Sequence, residues 1–242
     1  MRSEFIPIVA KCLERQTFKD YEWIVVAGKT GKYQDFIDVM PSDNKNWLLT
    51  LEPEKKEGDY YALNKAWNEA YRLAKGDLIV SIVDGLWFDP TTLERLYAHY
   101  QNNPRACVSC IGHQYSRIEN DKPEQLVWND PRANTEFGSF YEVKHTEMEL
   151  CVASFPRQAV IDVGGVDEEF DKYAALSEKE MMARMYKAGY TLWLDQTIEY
   201  RAIQHPRLSK DWDERFQEGV EYYNKCMTEI AEGKRLSLDF VK

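Results

Sequence analysis

The stretch Gly76-Asp-Leu-Ile-Val-Ser-Ile-Val-Asp84, read with its flanks, decides the fold. Leu78 to Val83 is apolar except for Ser81 and rich in β-branched residues, and it is bounded by Gly76 on one side and Asp84-Gly85 on the other. That is the pattern of a strand buried on both faces. Upstream, Leu63, Ala66, Trp67, Ala70, Tyr71 and Ala74 keep i, i+3, i+4, i+7 spacing, which predicts an amphipathic helix stopped by Gly76. Downstream, Asp89 and Pro90 open a second helix through Leu93, Leu96, Tyr97 and Tyr100. Alternating strands and helices imply an α/β, doubly wound sheet, whose ligands collect at the carboxyl ends of the strands. Asp84 lies at such an end.

The same alternation extends outward. Ser3 is placed to cap a first helix carrying Phe5, Val9, Cys12, Leu13 and Gln16, with Pro7 still close enough to its start to be tolerated. Glu22 to Ala27 reads as a buried parallel strand ended by Gly28. Gly112 to Lys144 is polar and without a sustained period, the pattern of a long loop or lid over the site. Glu149 to Phe155 reads as a strand, Pro156 to Gly165 as a helix ended by Gly164-Gly165, and Ser177 onward as a helix with Met181, Met182, Met185 and Tyr186 on one face. Tyr190–Asp195 and Thr197–Ala202 read as two short strands, and Trp212–Glu232 as a charged amphipathic helix.

The 242 residues suffice for one domain with a full core, and 44% hydrophobic with 30% charged residues is the balance of a globular chain. A net charge of -10 repels a phosphate backbone, so general nucleic-acid binding is not expected. No apolar run approaches the roughly 20 residues of a membrane span, and the first residues lack the order of a signal peptide. These features point to the cytoplasm. Five scattered cysteines argue against a disulfide framework. Cys107 and Cys110 form a CxxC, but no second ligand pair follows, and Ala106, Val108 and Ile111 around them read as a buried strand.

Several segments in this order resemble glycosyltransferase family 2. They are Cys12-Leu-Glu-Arg-Gln-Thr17, Glu22 to Val26, Ala66-Trp-Asn68, Gly76 to Asp84, Gly164-Gly-Val-Asp-Glu168, Ser177-Glu178 and His205. Val83-Asp-Gly-Leu-Trp87 and Trp128-Asn-Asp-Pro-Arg132 resemble its viral and phage-borne branch. The resemblance implies a single GT-A-like domain over residues 1–242 with a mostly parallel central sheet flanked by helices. Residues 1–110 would form the nucleotide-sugar half, 111–210 the acceptor and catalytic half, and 211–242 a C-terminal helix.

The implied activity is metal-dependent, inverting transfer of a sugar from a nucleoside diphosphate sugar to a hydroxyl acceptor. Mg²⁺ or Mn²⁺ would offset the charge that gathers on the diphosphate as the sugar departs, with Asp84 and His205 as its ligands. Glu178 would take the acceptor proton, with Glu180 and Asp167 as alternatives. Lys65, Asn68 and Lys29 would face the nucleotide. Trp87, Trp128, Arg132 and Glu149, with Asp130 nearby, are suited to gripping the acceptor or sugar by stacking and hydrogen bonding. A homodimer is compatible with this reading.

The chain departs from the family in three places. The strand-end motif is Asp84-Gly85-Leu86 rather than Asp-x-Asp, Ala27-Gly28 replaces a pair of aspartates, and the family's opening strand has no counterpart before Met1-Arg2. These departures imply one alternative, a catalytically impaired relative serving as a binding module; the viral likeness implies another, an enzyme acting on hydroxylated DNA bases, against which the acidic balance counts. Ser177-Glu-Lys-Glu180 also reads as a capping box, with Glu180 returning a hydrogen bond to the Ser177 backbone.

Overall fold

A computed structural model describes residues 5–28, 33–38, 40, 46–116, 118–119, 122–133, 136, 138–173, 176–203 and 211–240. The helices are α1 (Ile6–Glu14), α2 (Tyr33–Ile37), α3 (Leu63–Leu73), α4 (Thr92–Asn102), α5 (Arg157–Val163), α6 (Ser177–Lys187) and α7 (Trp212–Ala231). The strands are β1 (Trp23–Ala27), β2 (Trp47–Leu51), β3 (Leu78–Ile82), β4 (Leu86–Phe88), β5 (Ala106–Tyr115), β6 (Ile118–Glu119), β7 (Lys122–Pro123), β8 (Leu126–Trp128), β9 (Phe140–Glu142), β10 (Val152–Pro156) and β11 (Thr191–Ile203). Two 3-10 turns, His145–Glu147 and Glu168–Lys172, complete the set.

The main sheet runs β3-β10-β5-β11-β4, with β8 added to β5 and β9 to β11. β5 and β11 are parallel, and β3 points the same way because β10 pairs antiparallel with both β3 and β5. A two-stranded parallel sheet, β1 with β2, stands beside it. Among the described residues no ladder joins β1 to β3, but Glu22 bridges their neighbourhoods: its carboxylate accepts from the amides of Lys75 and Gly76 at 2.6 and 3.1 Å.

Helices cover the sheet. Val108 and Cys110 of β5 face one apolar cluster with Ile6, Val9 and Leu13 of α1, Val25 of β1 and Leu96 of α4. Cys107 and Ile111 face the other, with Phe155, Val160 of α5, Met181, Met182 and Met185 of α6, and Leu192 of β11. Burial on both faces explains why β5 reads as a continuous apolar run rather than an alternating one. It also sends the two thiols of the CxxC to opposite sides of the sheet, so they cannot share a metal. Burial pushes the Cys107 thiol up to about 12.

Two readings of the sequence are corrected. The expected lid at 112–144 is partly sheet: β5 continues to Tyr115, and β8 and β9 return to pair with β5 and β11. The two strands expected at 190–202 are the single strand β11, irregular between Asp195 and Glu199, where Asp195 accepts from the Thr197 amide at 2.8 Å and its hydroxyl at 2.6 Å. Between Gly28 and Leu63, where no apolar period stands out, the structure has α2 and β2. Ser3, the expected cap of α1, lies outside the described residues.

The segment after α7 crosses the end of α5. The Leu238 amide donates to the Val163 carbonyl at 2.9 Å, Arg72 Nε donates to the Phe240 carbonyl at 2.8 Å, and Phe240 packs on the second cluster. Gly164 ends α5 at φ +75°, and a Cβ there would overlap the Leu238 carbonyl. Among the described residues no helix is long and apolar enough to cross a membrane.

Candidate active site

β3 delivers Asp84 to one end of the sheet, where three segments meet. The Val83 amide donates to the Cys151 carbonyl at 3.1 Å, and the Ile203 amide at the end of β11 donates to the Gly85 carbonyl at 3.3 Å. Gly85 takes φ +72°, which turns the chain from β3 into β4, and Leu86 is buried, so the third position of the expected metal motif serves the core. His205 follows Ile203 by two residues in the chain but lies outside the described residues, as does Lys29.

Cys151 leads to the second part of the site. Glu149, two residues before it, is 40% exposed, and its Oε1 accepts from Lys179 Nζ at 2.7 Å. Lys179 neighbours Glu178 in the first turn of α6. The helix is entered through Leu176 at φ +80°, the one non-glycine positive φ among the described residues, a strained backbone of the kind that persists where surrounding structure over-determines it. Glu178 is half-buried and accepts from the Ser177 hydroxyl at 3.5 Å. Burial pushes its carboxyl above the usual range; Lys179 opposes this and the charge of Glu149 adds to it. Asp84, Glu149 and Glu178 thus belong to one end of the molecule, connected through Val83, Cys151 and Lys179.

The capping box is overturned. Leu176, not Ser177, precedes the first helical turn, and Glu180 does not turn back to the backbone. Its carboxylate, fully buried, accepts from Arg184 at 2.9 and 2.8 Å and from Arg235 Nε at 2.8 Å. Asp167 caps the 168–172 turn through the Glu169 amide, accepts from the Tyr222 hydroxyl at 2.7 Å and pairs with Arg235. Both alternatives to Glu178 are therefore structural, because a buried carboxylate is tolerated only with such partners.

Lys65 and Asn68 are likewise turned inward. Lys65 is 4% exposed and pairs with Asp59, with Asp171 at 3.8 Å. Asn68 donates to the Val166 carbonyl at 2.9 Å and to Glu168 at 3.0 Å, and accepts from the Val166 amide at 2.9 Å, so both amide hydrogens are spent holding the Gly164–Glu168 turn to α3. Both residues expected at the nucleotide are thus engaged with internal partners in this structure.

Arg132 is engaged in the same way. It binds Asp130 through Nε at 2.9 and 3.1 Å, and donates to Ser109 at 3.1 Å and to the carbonyls of Glu147 and Cys110 at 2.8 and 2.9 Å. Asp130 in turn accepts from the Gly112 amide at 3.1 Å, so the pair fastens the returning lid segment to β5. Trp87 packs against the first apolar cluster, whereas Trp128 on β8 is 43% exposed.

The sequence reading missed Lys179, His145 and Tyr223. His145 Nε2 lies 3.1 Å from the Tyr223 hydroxyl, and burial followed by the charge of Lys179 lowers its proton affinity. Spacing gave no signal for this cluster, since its members come from the 145–147 turn, α6 and α7.

Among curated proteins no sequence match is found. Solved structures similar to the chain include S. aureus TarS 1-349 in complex with UDP, with a TM-score of 0.56, 15% identity, and coverage of 84% of this chain and 58% of that one. The same fragment with UDP-GlcNAc gives 0.60, 13%, 94% and 62%. GalNAc-T7 with UDP, GalNAc and Mn2+ gives 0.63, 13%, 87% and 44%. The chain therefore spans less than two thirds of the length of each, and at these identities the likeness is one of fold. The family model described as glycosyl transferase family 2 matches residues 2–164, well over half of the 242 residues, and the chain belongs to that family.

Proposed function

We propose that this protein transfers a sugar from a nucleoside diphosphate sugar to an acceptor hydroxyl with inversion at the anomeric carbon, and that Glu178 is the base. The observation that carries this reading is the join of Val83 to Cys151, which puts the strand end bearing Asp84 beside the approach to β10 that carries Glu149, to which Lys179, the neighbour of Glu178, is bonded. As the acceptor oxygen bonds to the anomeric carbon, Glu178 takes its proton, and the bond to the diphosphate breaks on the opposite face. A half-buried carboxylate with raised proton affinity suits that role.

The donor set fits a divalent cation in a limited way. Among the described residues no group of three or more metal-ligating side chains gathers, and Asp84 is the carboxylate at the strand end. Mg²⁺ and Mn²⁺ sites of nucleotide enzymes commonly use one or two protein ligands and complete their shell with phosphate oxygens, so Asp84, with His205 as the second ligand, is sufficient. Such a cation would offset the charge developing on the leaving diphosphate. The solved structures with UDP, and one with Mn2+, support the choice of donor and metal class. Glu149, Trp87 and Trp128 are assigned to the acceptor side, and Arg132 to supporting that wall through Asp130.

Leu86, buried where the family motif carries a second carboxylate, favours one second reading, a relative that binds nucleotide without turnover. A panel of UDP sugars with Mn²⁺, assayed for donor hydrolysis or transfer, separates the two. Turnover lost in Asp84→Ala and Glu178→Gln supports the enzyme; binding without turnover supports the module. Absence of both sinks the proposal.

A further inference from the structure

Lys179 follows Glu178 by one residue, yet its side chain serves another element. Its ammonium donates to the Met148 carbonyl at 2.5 Å and to Glu149 Oε1 at 2.7 Å, with 12% of the side chain exposed. The contact ties the first turn of α6 to the approach to β10. It also puts one fixed cation beside two carboxylates at the same end of the sheet. Like charges sharing a site cannot both stay ionised cheaply, whereas an opposite charge a few ångströms away restores the ionised form.

The groups facing Glu178 are Lys179 on its own helix, Glu149 and Cys151 before and at the head of β10, and Tyr223 of α7, with His145 behind Tyr223. Burial pushes the Cys151 thiol up to about 11 and raises the Tyr223 phenol, and His145 loses its proton more readily than a free imidazole. Cys151, Tyr223 and His145 are thus neutral at pH 7. The charge balance among these groups is set by Glu149 against Lys179.

We propose that Lys179 is a positioning residue for the transfer reaction: it pins Glu149 to the β10 wall and supplies the compensating charge that keeps the Glu178 side chain anionic and able to accept a proton. The proposal rests on Glu178 being the base.

The test is a titration of the full chain carrying ¹³C at its glutamate carboxyls, with Glu178 assigned by the signal lost in Glu178→Gln. Lys179→Met moves the Glu178 midpoint up by about one pH unit or more. Lys179→Arg restores it toward the parent, and adding Glu149→Gln to Lys179→Met brings it back down. The acid limb of UDP-sugar turnover follows the same order. Should Lys179→Met fail to fold, Glu149→Gln alone serves, lowering the midpoint below the parent.

An unmoved midpoint in Lys179→Met, or in Glu149→Gln where that variant stands in, overturns the proposal and leaves the base assignment standing. A Glu178→Gln protein with parental turnover overturns the base assignment, and with it any catalytic role for Lys179, whatever the titration gives.

Discussion

Burial makes Glu178 hold its proton to a higher pH than a carboxyl in water, and two consequences follow. A carboxyl bound more tightly to its proton in the folded than in the unfolded state contributes stability at low pH, and that contribution disappears as pH rises through the folded value. At neutral pH the ionised group therefore costs stability. Glu178→Gln is expected to melt at a higher temperature than the parent at pH 7, and to lose that advantage at a pH below the unfolded carboxyl value. Equal melting temperatures at both pH values would contradict the account. The same substitution should lower transfer by about 10²–10⁴-fold, and the parent's rate should fall on its acid side at a pH above the ordinary carboxylate range. Motif order alone pointed to Glu178. It could not foresee the internal partners of Lys65, Asn68 and Arg132, because a charged or amide side chain in the right segment reads the same whether it faces a ligand or a buried partner 100 residues away. Glu168, for Asn68, is such a partner.

At the level of elements, α6 is held by ions rather than by its cap. Glu180 joins Arg184 and Arg235, and Arg184 reaches on to the carbonyls of Val163 and Gly165 at the end of α5. Glu180→Gln takes the carboxylate partner from the buried Arg184 and leaves Arg235 with Asp167, and should cost about 3–5 kcal/mol, read as a lower urea midpoint with the slope unchanged. Gly164→Ala forces a side chain into a left-handed backbone, worth about 1–3 kcal/mol, and displaces the segment at Leu238 as well. Its loss should therefore exceed that of an alanine placed at Gly138, whose added Cβ meets nothing within 4 Å at a similar φ of +78°. Strand β5 and helices α3 and α6 were legible because their apolar periods are long, and β3 because its apolar run is bracketed by Gly76 and Asp84-Gly85, although among the described residues it ends the sheet and its apolar residues are only partly buried rather than covered on both faces. β2, β8 and β9 were not: they are short, sit at sheet edges or on the surface, and carry exposed apolar residues such as Leu48 and Leu126 where a period would need polar ones.

For the whole molecule, nucleotide binding should appear as added stability. A ligand at 100 times its dissociation constant contributes about 2.7 kcal/mol, so UDP with Mn²⁺ should raise the melting temperature measurably. Asp84→Ala should abolish the part of that rise that depends on Mn²⁺ and keep the part due to UDP alone; an unchanged metal increment would remove Asp84 from the site. The α/β architecture was readable from alternation, because packing helices on both faces of a sheet forces it. The reversal of β10 was not, since a buried strand reads alike in either direction.

The crossing of α5 by residues near Leu238 also bears on how the chain is made. A ribosome delivers Asp167 and Glu180 68 and 55 residues ahead of Arg235, the cation that both carboxylates await. A nascent polypeptide stalled short of that arginine would lack the cation that these two carboxylates share, and the junction of α5 with α6 would stay unlocked until it emerged.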